Sequence, residues 1–140
     1  MNADSIFSER VLNAVFEVSN TLGAGFLEKV YARALLRELS LRGLRAKAEA
    51  SFEVNYKGFR VGEYFADLLV EDVLVVELKC VDHLTNEHTA QCINYLRASG
   101  RTLCLLVNSQ KPKVEWKRVV FGFHDPGLAS TTPVLQNRDS

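Results

Sequence analysis

Two stretches of successive apolar residues constrain the fold of this chain more than any other feature. Residues 73–80 read VLVVELKC and residues 102–109 read TLCLLVNS. A strand that is apolar at successive positions is covered on both faces, which places it in the interior of a sheet. The segment between them, residues 86–98, predicts a helix with Thr85 as a cap and Gly100 as its end. This order indicates a crossover, and hence an α/β fold with a mixed β-sheet and helices on both faces.

Hydrophobic periodicity predicts the other elements. Two helices come first, and the period then changes to two, which is typical of strands. The turn YKGF joins the first two strands into a hairpin. The approximate bounds are 5–22 and 26–42 for the helices, and 52–56, 59–70 and 114–123 for the strands.

The length and composition of the chain indicate how many domains it has and whether it contains a membrane span. At 140 residues it is expected to form one domain, which we place over residues 1–124. Residues 125–140 contain two prolines, several small polar residues and no hydrophobic period, which predicts a loose C-terminal tail. No stretch approaches the roughly 18 successive apolar residues of a membrane span, so no membrane partner is expected.

Charge and cysteine content narrow the class of protein further. The formal net charge is +0, whereas a protein that coats nucleic acid regardless of sequence is usually basic. Neutrality does not exclude an enzyme, because an acidic site can offset basic residues elsewhere. The 3 cysteines are an odd number, and the N-terminus lacks a signal-peptide pattern. Both observations predict reduced thiols and a cytoplasmic protein.

Two charged residues close the apolar run at 73–80. Glu77 and Lys79 point to the same side of the strand, because side chains alternate along it. They are either a solvated ion pair at an exposed strand end or buried charges that need a partner or a metal. Asp67 should lie opposite Glu77 across a hairpin, unless it only bonds the backbone near a turn. Two adjacent carboxylates repel each other and suit Mg²⁺ or Mn²⁺, which take oxygen ligands.

This arrangement resembles the Asp…(Asp/Glu)-x-Lys signature of the PD-(D/E)XK nuclease superfamily, with Asp67 followed by Glu77-Leu78-Lys79. Ala66 stands where the superfamily often has proline. The predicted element order is similar to its restriction-endonuclease-like core, αβββαβ, with an extra N-terminal helix and a C-terminal strand. Two further motifs resemble those of one branch, the GxxExxY proteins: Gly25, Glu28 and Tyr31 in the second helix, and His88, Gln91 and Tyr95 in the third.

The resemblance implies metal-dependent hydrolysis of phosphodiester bonds, with Mg²⁺ or Mn²⁺ as cofactor. The expected partner is nucleic acid, and we expect DNA. Asp67 and Glu77 would bind the metal, and the main-chain carbonyl of Leu78 would add a ligand. Lys79 would position or activate the attacking water. Glu28 would be an accessory carboxylate, either a further ligand or a group that orients water.

The resemblance also assigns roles on the helices. Gln91 and Tyr95 would position the substrate phosphate or a carboxylate, and His88 would lie near the mouth of the site. Residues 91 and 95 are one helical turn apart on the same face, and 88 is three residues before 91. For Tyr31 we expect a structural role, with its ring in the core and its hydroxyl hydrogen-bonded.

Three interpretations of the function stay open at this point. The chain is an active nuclease, or a catalytically silent module that binds nucleic acid or a partner on the same fold, or an oligomerising component such as a homodimer. Arg33 and Arg37 share a helical face, which is either solvated or in contact with nucleic-acid backbone. Trp116 either closes the edge of the core or, if exposed, forms a dimer contact.

Overall fold

The computed structural model describes residues 3–122 and the backbone of residues 134–136. The described residues form three helices and six strands, in an order close to the predicted one. In chain order they are α1 (Ala3–Leu22), α2 (Glu28–Leu41), β1 (Ala46–Tyr56), β2 (Phe59–Val70), β3 (Leu74–Lys79), α3 (Asn86–Ser99), β4 (Leu103–Asn108), β5 (Glu115–Val120) and β6 (Val134–Gln136). In the part of the chain that is described, no helix is long and apolar enough to cross a bilayer.

The strands form one mixed sheet in the order β1-β2-β3-β4-β5-β6. The β3–β4 pair is parallel, and its register places Lys79 beside Asn108. The other neighbouring pairs are antiparallel. Because α3 lies between β3 and β4 in the chain, it provides the crossover that a parallel pair needs. The predicted α/β architecture with a mixed sheet is therefore confirmed.

The sheet is covered on both faces, because alternate side chains of the central strands enter different cores. Leu74, Val76 and Leu78 pack with α1 and α2 in one cluster of buried side chains. Val75 packs with α3 in the other. All six residues of β4 are buried. Trp116 joins the cluster under α1 and α2, so its interpretation as a core residue is confirmed.

The first strand is longer than predicted. The alternation of Phe52, Val54 and Tyr56 marks only its second half, and the strand begins at Ala46. Residues 46–51 pair with β2, although their sequence has little apolar alternation. Pairing to an existing strand supplies the backbone hydrogen bonds that local periodicity does not reveal.

The predicted loose tail contains a short element. Val134–Gln136 pairs with β5 as an antiparallel edge strand, β6. A three-residue strand leaves too short a pattern for periodicity to identify, and its position depends on the exposed edge of β5. The rest of the predicted tail lies outside the described residues.

Tyr31 ties the loop between α1 and α2 to the core. Its ring is 2% exposed. Its hydroxyl donates to the carbonyl of Gly23 at 2.6 Å and accepts from the N–H of Phe26 at 3.2 Å. A buried tyrosine whose hydroxyl finds polar partners is an anchor, as the sequence predicts. The anchor fixes the position at which α2 begins, and Glu28 is the first residue of that helix.

Candidate active site

The ladder between β2 and β3 ends where Asp67 and Glu77 meet. Regular pairing runs from Val70 opposite Leu74 to Leu68 opposite Val76. Beyond it, the main-chain N–H of Asp67 donates to Glu77 Oε1 at 3.1 Å. In return, the N–H of Leu78 donates to Asp67 Oδ2 at 2.7 Å. Two carboxylates therefore replace the backbone acceptors of a regular ladder, and we call Asp67 and Glu77 the acid pair.

Burial raises the pKa of both members of the acid pair, and the charge of Asp67 adds to the shift of Glu77. Glu77 is 3% exposed. Burial, and then the charge of Asp67, raises the pKa of Glu77 to about 8, against the effects of the Asp67 N–H, Lys79 and Tyr95. Burial also raises the pKa of Asp67, although the Leu78 N–H lowers it. A nearby cation would relieve this repulsion and favour the ionised acids.

Lys79 supplies positive charge at the end of β3. Its side chain is partly buried. Its charge lowers the pKa of both members of the acid pair. It forms no ion pair with any residue in the described part of the chain. An amine held near two carboxylates without a direct ion pair is free to bind a water or a phosphate oxygen.

Glu28 connects the start of α2 to the residue after Lys79. Its Oε2 accepts the main-chain N–H of Cys80 at 3.0 Å. Its charge helps raise the pKa of Asp67, so it lies within electrostatic reach of the acid pair. The thiol of Cys80 also donates to the carbonyl of Phe26 at 3.7 Å. The accessory carboxylate predicted from the second helix therefore lies at the end of β3.

The three residues predicted on α3 have different surroundings. Tyr95 lies close enough to Glu77 for its hydroxyl to lower the pKa of that acid, and burial, followed by the Glu77 charge, raises the pKa of Tyr95. Its ring also packs edge-on against Tyr64, with ring centroids 5.4 Å apart. Gln91 is exposed one turn earlier, without a hydrogen bond to any described residue. His88 Nδ1 accepts the N–H of Thr85 at 3.0 Å, which caps the start of the helix.

Of these three residues, Tyr95 is therefore the one placed close enough to the acid pair to affect the pKa of Glu77. The observed contacts of His88 belong to the helix cap, a function that its sequence position, three residues after Thr85, already permitted. Substrate-positioning roles for Gln91 and His88 stay predictions. The same holds for the carbonyl of Leu78, since the observed bond of that residue to the acid pair is through its N–H.

Glu49 is a further acid at the site that the sequence analysis did not identify. Its neighbours Ala48 and Ala50 pair with Leu68 and Ala66, so Glu49 stands opposite Asp67. Its charge contributes to the raised pKa of Asp67. Glu49 has a φ of 53°, which is in the left-handed region, so the backbone of β1 is not extended at this residue. No local pattern marks this position, because Glu49 lies in the part of β1 that lacks apolar alternation.

The donor set of the acid pair fits a small, hard divalent cation. Mg²⁺ is commonly held by one or two carboxylates and completes its shell with water and substrate oxygens. Asp67 and Glu77 provide two carboxylates, and Asp67 Oδ1 accepts no hydrogen bond from the described residues. Within residues 3–122, no three Asp, Glu, His or Cys side chains are grouped as metal ligands.

A buried asparagine fixes the loop that follows Lys79. Asn108 is 2% exposed. Its Nδ2 donates to the carbonyl of Val81 at 2.8 Å and to Glu115 Oε1 at 3.1 Å. Its Oδ1 accepts the N–H groups of Val81 at 3.1 Å and Gln110 at 3.2 Å. Asn108 therefore joins the ends of β3, β4 and β5 beside the site.

Replacing Asn108 with Ala should lower the free energy of unfolding by about 3 kcal/mol, because three partly buried backbone groups lose their partners and a buried side chain is removed. Urea unfolding followed by circular dichroism measures the change. Asn94→Ala is the matched control, since Asn94 is exposed on α3. Equal stabilities of the two variants would contradict the anchoring role of Asn108.

Of three comparisons with known proteins, the one with protein families gave a match. Neither the curated proteins nor the solved structures compared with the chain gave a match. The family model of the PD-(D/E)XK nuclease superfamily matches residues 5–119. That range covers most of the chain and includes α1 through most of β5, with the acid pair and Lys79 inside it. This chain therefore belongs to the PD-(D/E)XK nuclease superfamily.

Proposed function

We propose that this protein is a Mg²⁺- or Mn²⁺-dependent nuclease that hydrolyses phosphodiester bonds in DNA. The observation that carries the proposal is the acid pair at the end of the β2–β3 ladder with the amine of Lys79 beside it. Two desolvated carboxylates with raised pKa values are costly in a fold that could use apolar residues there. Their placement is accounted for if a cation and a phosphate bind at this point.

Each residue has a defined role in this proposal. Asp67 and Glu77 hold the cation, with the Leu78 carbonyl as a further ligand. When bound, the cation supplies positive charge that stabilises the phosphate oxygens and lowers the pKa of a coordinated water. Lys79 positions the attacking water and offsets negative charge that develops on the phosphate. Glu28 holds the end of β3 through Cys80 and orients water from the side of α2.

The groups on α3 complete the proposed site. Tyr95 orients Glu77 through its hydroxyl, and it lies one helical turn from Gln91 on the same face. We assign both to positioning the substrate phosphate. The presence of Gly25, Glu28 and Tyr31 at the start of α2 supports placement in the GxxExxY branch.

The proposal is tested by incubating the purified protein with supercoiled duplex DNA, circular single-stranded DNA and a structured RNA. Each substrate is offered with Mg²⁺, with Mn²⁺ and with EDTA. We expect cleavage of DNA that requires a divalent cation and is lost in an Asp67→Asn variant. Cleavage of RNA alone would overturn the assignment to DNA. Metal binding without cleavage of any substrate would favour a catalytically silent binding module.

A further inference from the structure

An open groove beside the acid pair has a chemistry of its own. It lies between α2 and the adjoining parts of β1 and β2 and has a volume of about 430 Å³. Three acids, Glu28, Glu49 and Asp67, line the end of the groove at the candidate active site. We call it the α2 groove. Much of its lining is apolar, from Ala32, Leu36 and Ala66. The groove is thus continuous with the candidate active site and extends away from it along the helix.

One wall of the α2 groove carries exposed cations that form no ion pair with the described residues. Lys29 and Arg33 are exposed and line the groove four residues apart on α2. Arg37 continues the same helical face by one more turn. None of the three forms an ion pair with a residue in the described part of the chain, whereas Arg42, just after the end of α2, is paired with Glu38. The wall therefore suits a polyanion.

The opposite wall presents an aromatic side chain to solvent. Phe65 is 55% exposed and lines the groove on β2. The neighbouring Tyr64 is covered further by its contact with Tyr95 on α3. Phe65 makes no ring contact with another aromatic residue in the described part of the chain. An exposed ring that lines the same groove as exposed cations is an arrangement on which a nucleobase stacks while its phosphates contact the basic residues.

We propose that the α2 groove binds an unpaired nucleic-acid strand and leads it to the acid pair. Phe65 stacks on a base, and Lys29 and Arg33 contact the flanking phosphates. A duplex does not fit this chemistry, because the faces of its bases are already covered by their neighbours in the stack. The inference rests on the proposed nuclease function, whose substrate it narrows to single-stranded segments such as ends, flaps or gaps.

The test measures binding separately from cleavage. Fluorescence anisotropy is followed for a short labelled DNA strand and for the same strand annealed to its complement, in EDTA and over a series of salt concentrations. We expect tighter binding of the single strand. Phe65→Ala should weaken that binding about tenfold or more, and Phe65→Trp should restore it. Arg33→Ala should reduce the slope of log affinity against log salt by about 1.

Two matched variants control for loss of an exposed aromatic ring or an exposed cation elsewhere. Tyr56→Ala removes an exposed ring (61% exposed) at the hairpin tip, and Arg10→Ala removes an exposed cation from α1. Both should bind like the wild type, and all variants should keep its circular dichroism spectrum. Equal affinity for duplex and single strand, or single-strand binding unaffected by Phe65→Ala, would overturn the proposal. Cleavage of DNA would in that case still support the nuclease function, whereas Phe65-dependent binding without cleavage would support the groove alone.

Discussion

Replacing Glu77 with Gln should lower the rate of DNA cleavage by about 10³-fold or more. Glutamine keeps the size of the side chain but removes the charge that would bind the cation, so transition-state stabilisation of about 4 kcal/mol is lost. Lys79→Ala should lower the rate by about 10²- to 10³-fold, as expected when one group that stabilises developing charge is removed. Glu28→Gln should have a smaller effect, about 10- to 100-fold, because it supports the site through Cys80.

These rates are measured on the DNA form that the wild type cuts best, with the cation that supports the highest rate. Glu9→Gln and Lys57→Ala are the matched controls, since Glu9 is exposed on α1 and Lys57 is exposed at the turn between β1 and β2. Thermal unfolding of each variant shows that a lost activity is not a lost fold. If Glu77→Gln and Lys79→Ala cut at the wild-type rate, the proposed mechanism is wrong and the activity belongs to another site or to a contaminant.

The second large effect concerns the pH dependence of stability. In the metal-free protein the pKa of Glu77 is about 8, compared with an ordinary value of 4.5. Between these values the folded protein keeps a proton that the unfolded chain has released, so unfolding is favoured as the pH rises. The stabilisation that Glu77 contributes to the folded state is therefore fully present below pH 4.5. As the pH rises, the free energy of unfolding falls by up to about 1.4 kcal/mol per pH unit, and this decrease ends above pH 8.

Urea unfolding in EDTA at intervals from pH 5 to pH 8 measures this slope. Glu77→Gln should flatten it, and the variant should be more stable than the wild type at pH 8, because glutamine resembles the protonated acid. The bonds of Glu71 to Arg45 lower the pKa of Glu71. Its titration therefore makes the protein more stable as the pH rises, and it does so below the pH range of this experiment. A wild-type profile as flat as that of the variant would contradict the raised pKa of Glu77.

The same protonation predicts how Mg²⁺ binds. The cation competes with the proton on the acid pair, so its affinity should rise with pH up to about 8 and its binding should release protons. Calorimetric titrations at one pH in two buffers with different ionisation enthalpies measure the number of protons released.

Much of the fold was predictable because its central elements have strong local patterns. The predicted bounds of β2 agree with Phe59–Val70, and those of α3 differ from Asn86–Ser99 by one residue. The apolar run that ends in Glu77 and Lys79 is a local feature, and so is the hairpin that places Asp67 opposite it. The early half of β1 and the short β6 were not predictable, since each is defined by a partner strand rather than by its own periodicity.

The residue pattern alone predicts which chemical groups the site contains: two carboxylates and an amine on adjacent strands, and an acid at the start of α2. How these groups meet depends on the way the helices and strands pack. This packing ends the β2–β3 ladder at the acid pair, binds Glu28 to the N–H of Cys80, and sets Glu49 opposite Asp67. The reason is physical. Periodicity reports which face of an element is buried, whereas a hydrogen bond between residues far apart in the chain depends on how the elements pack.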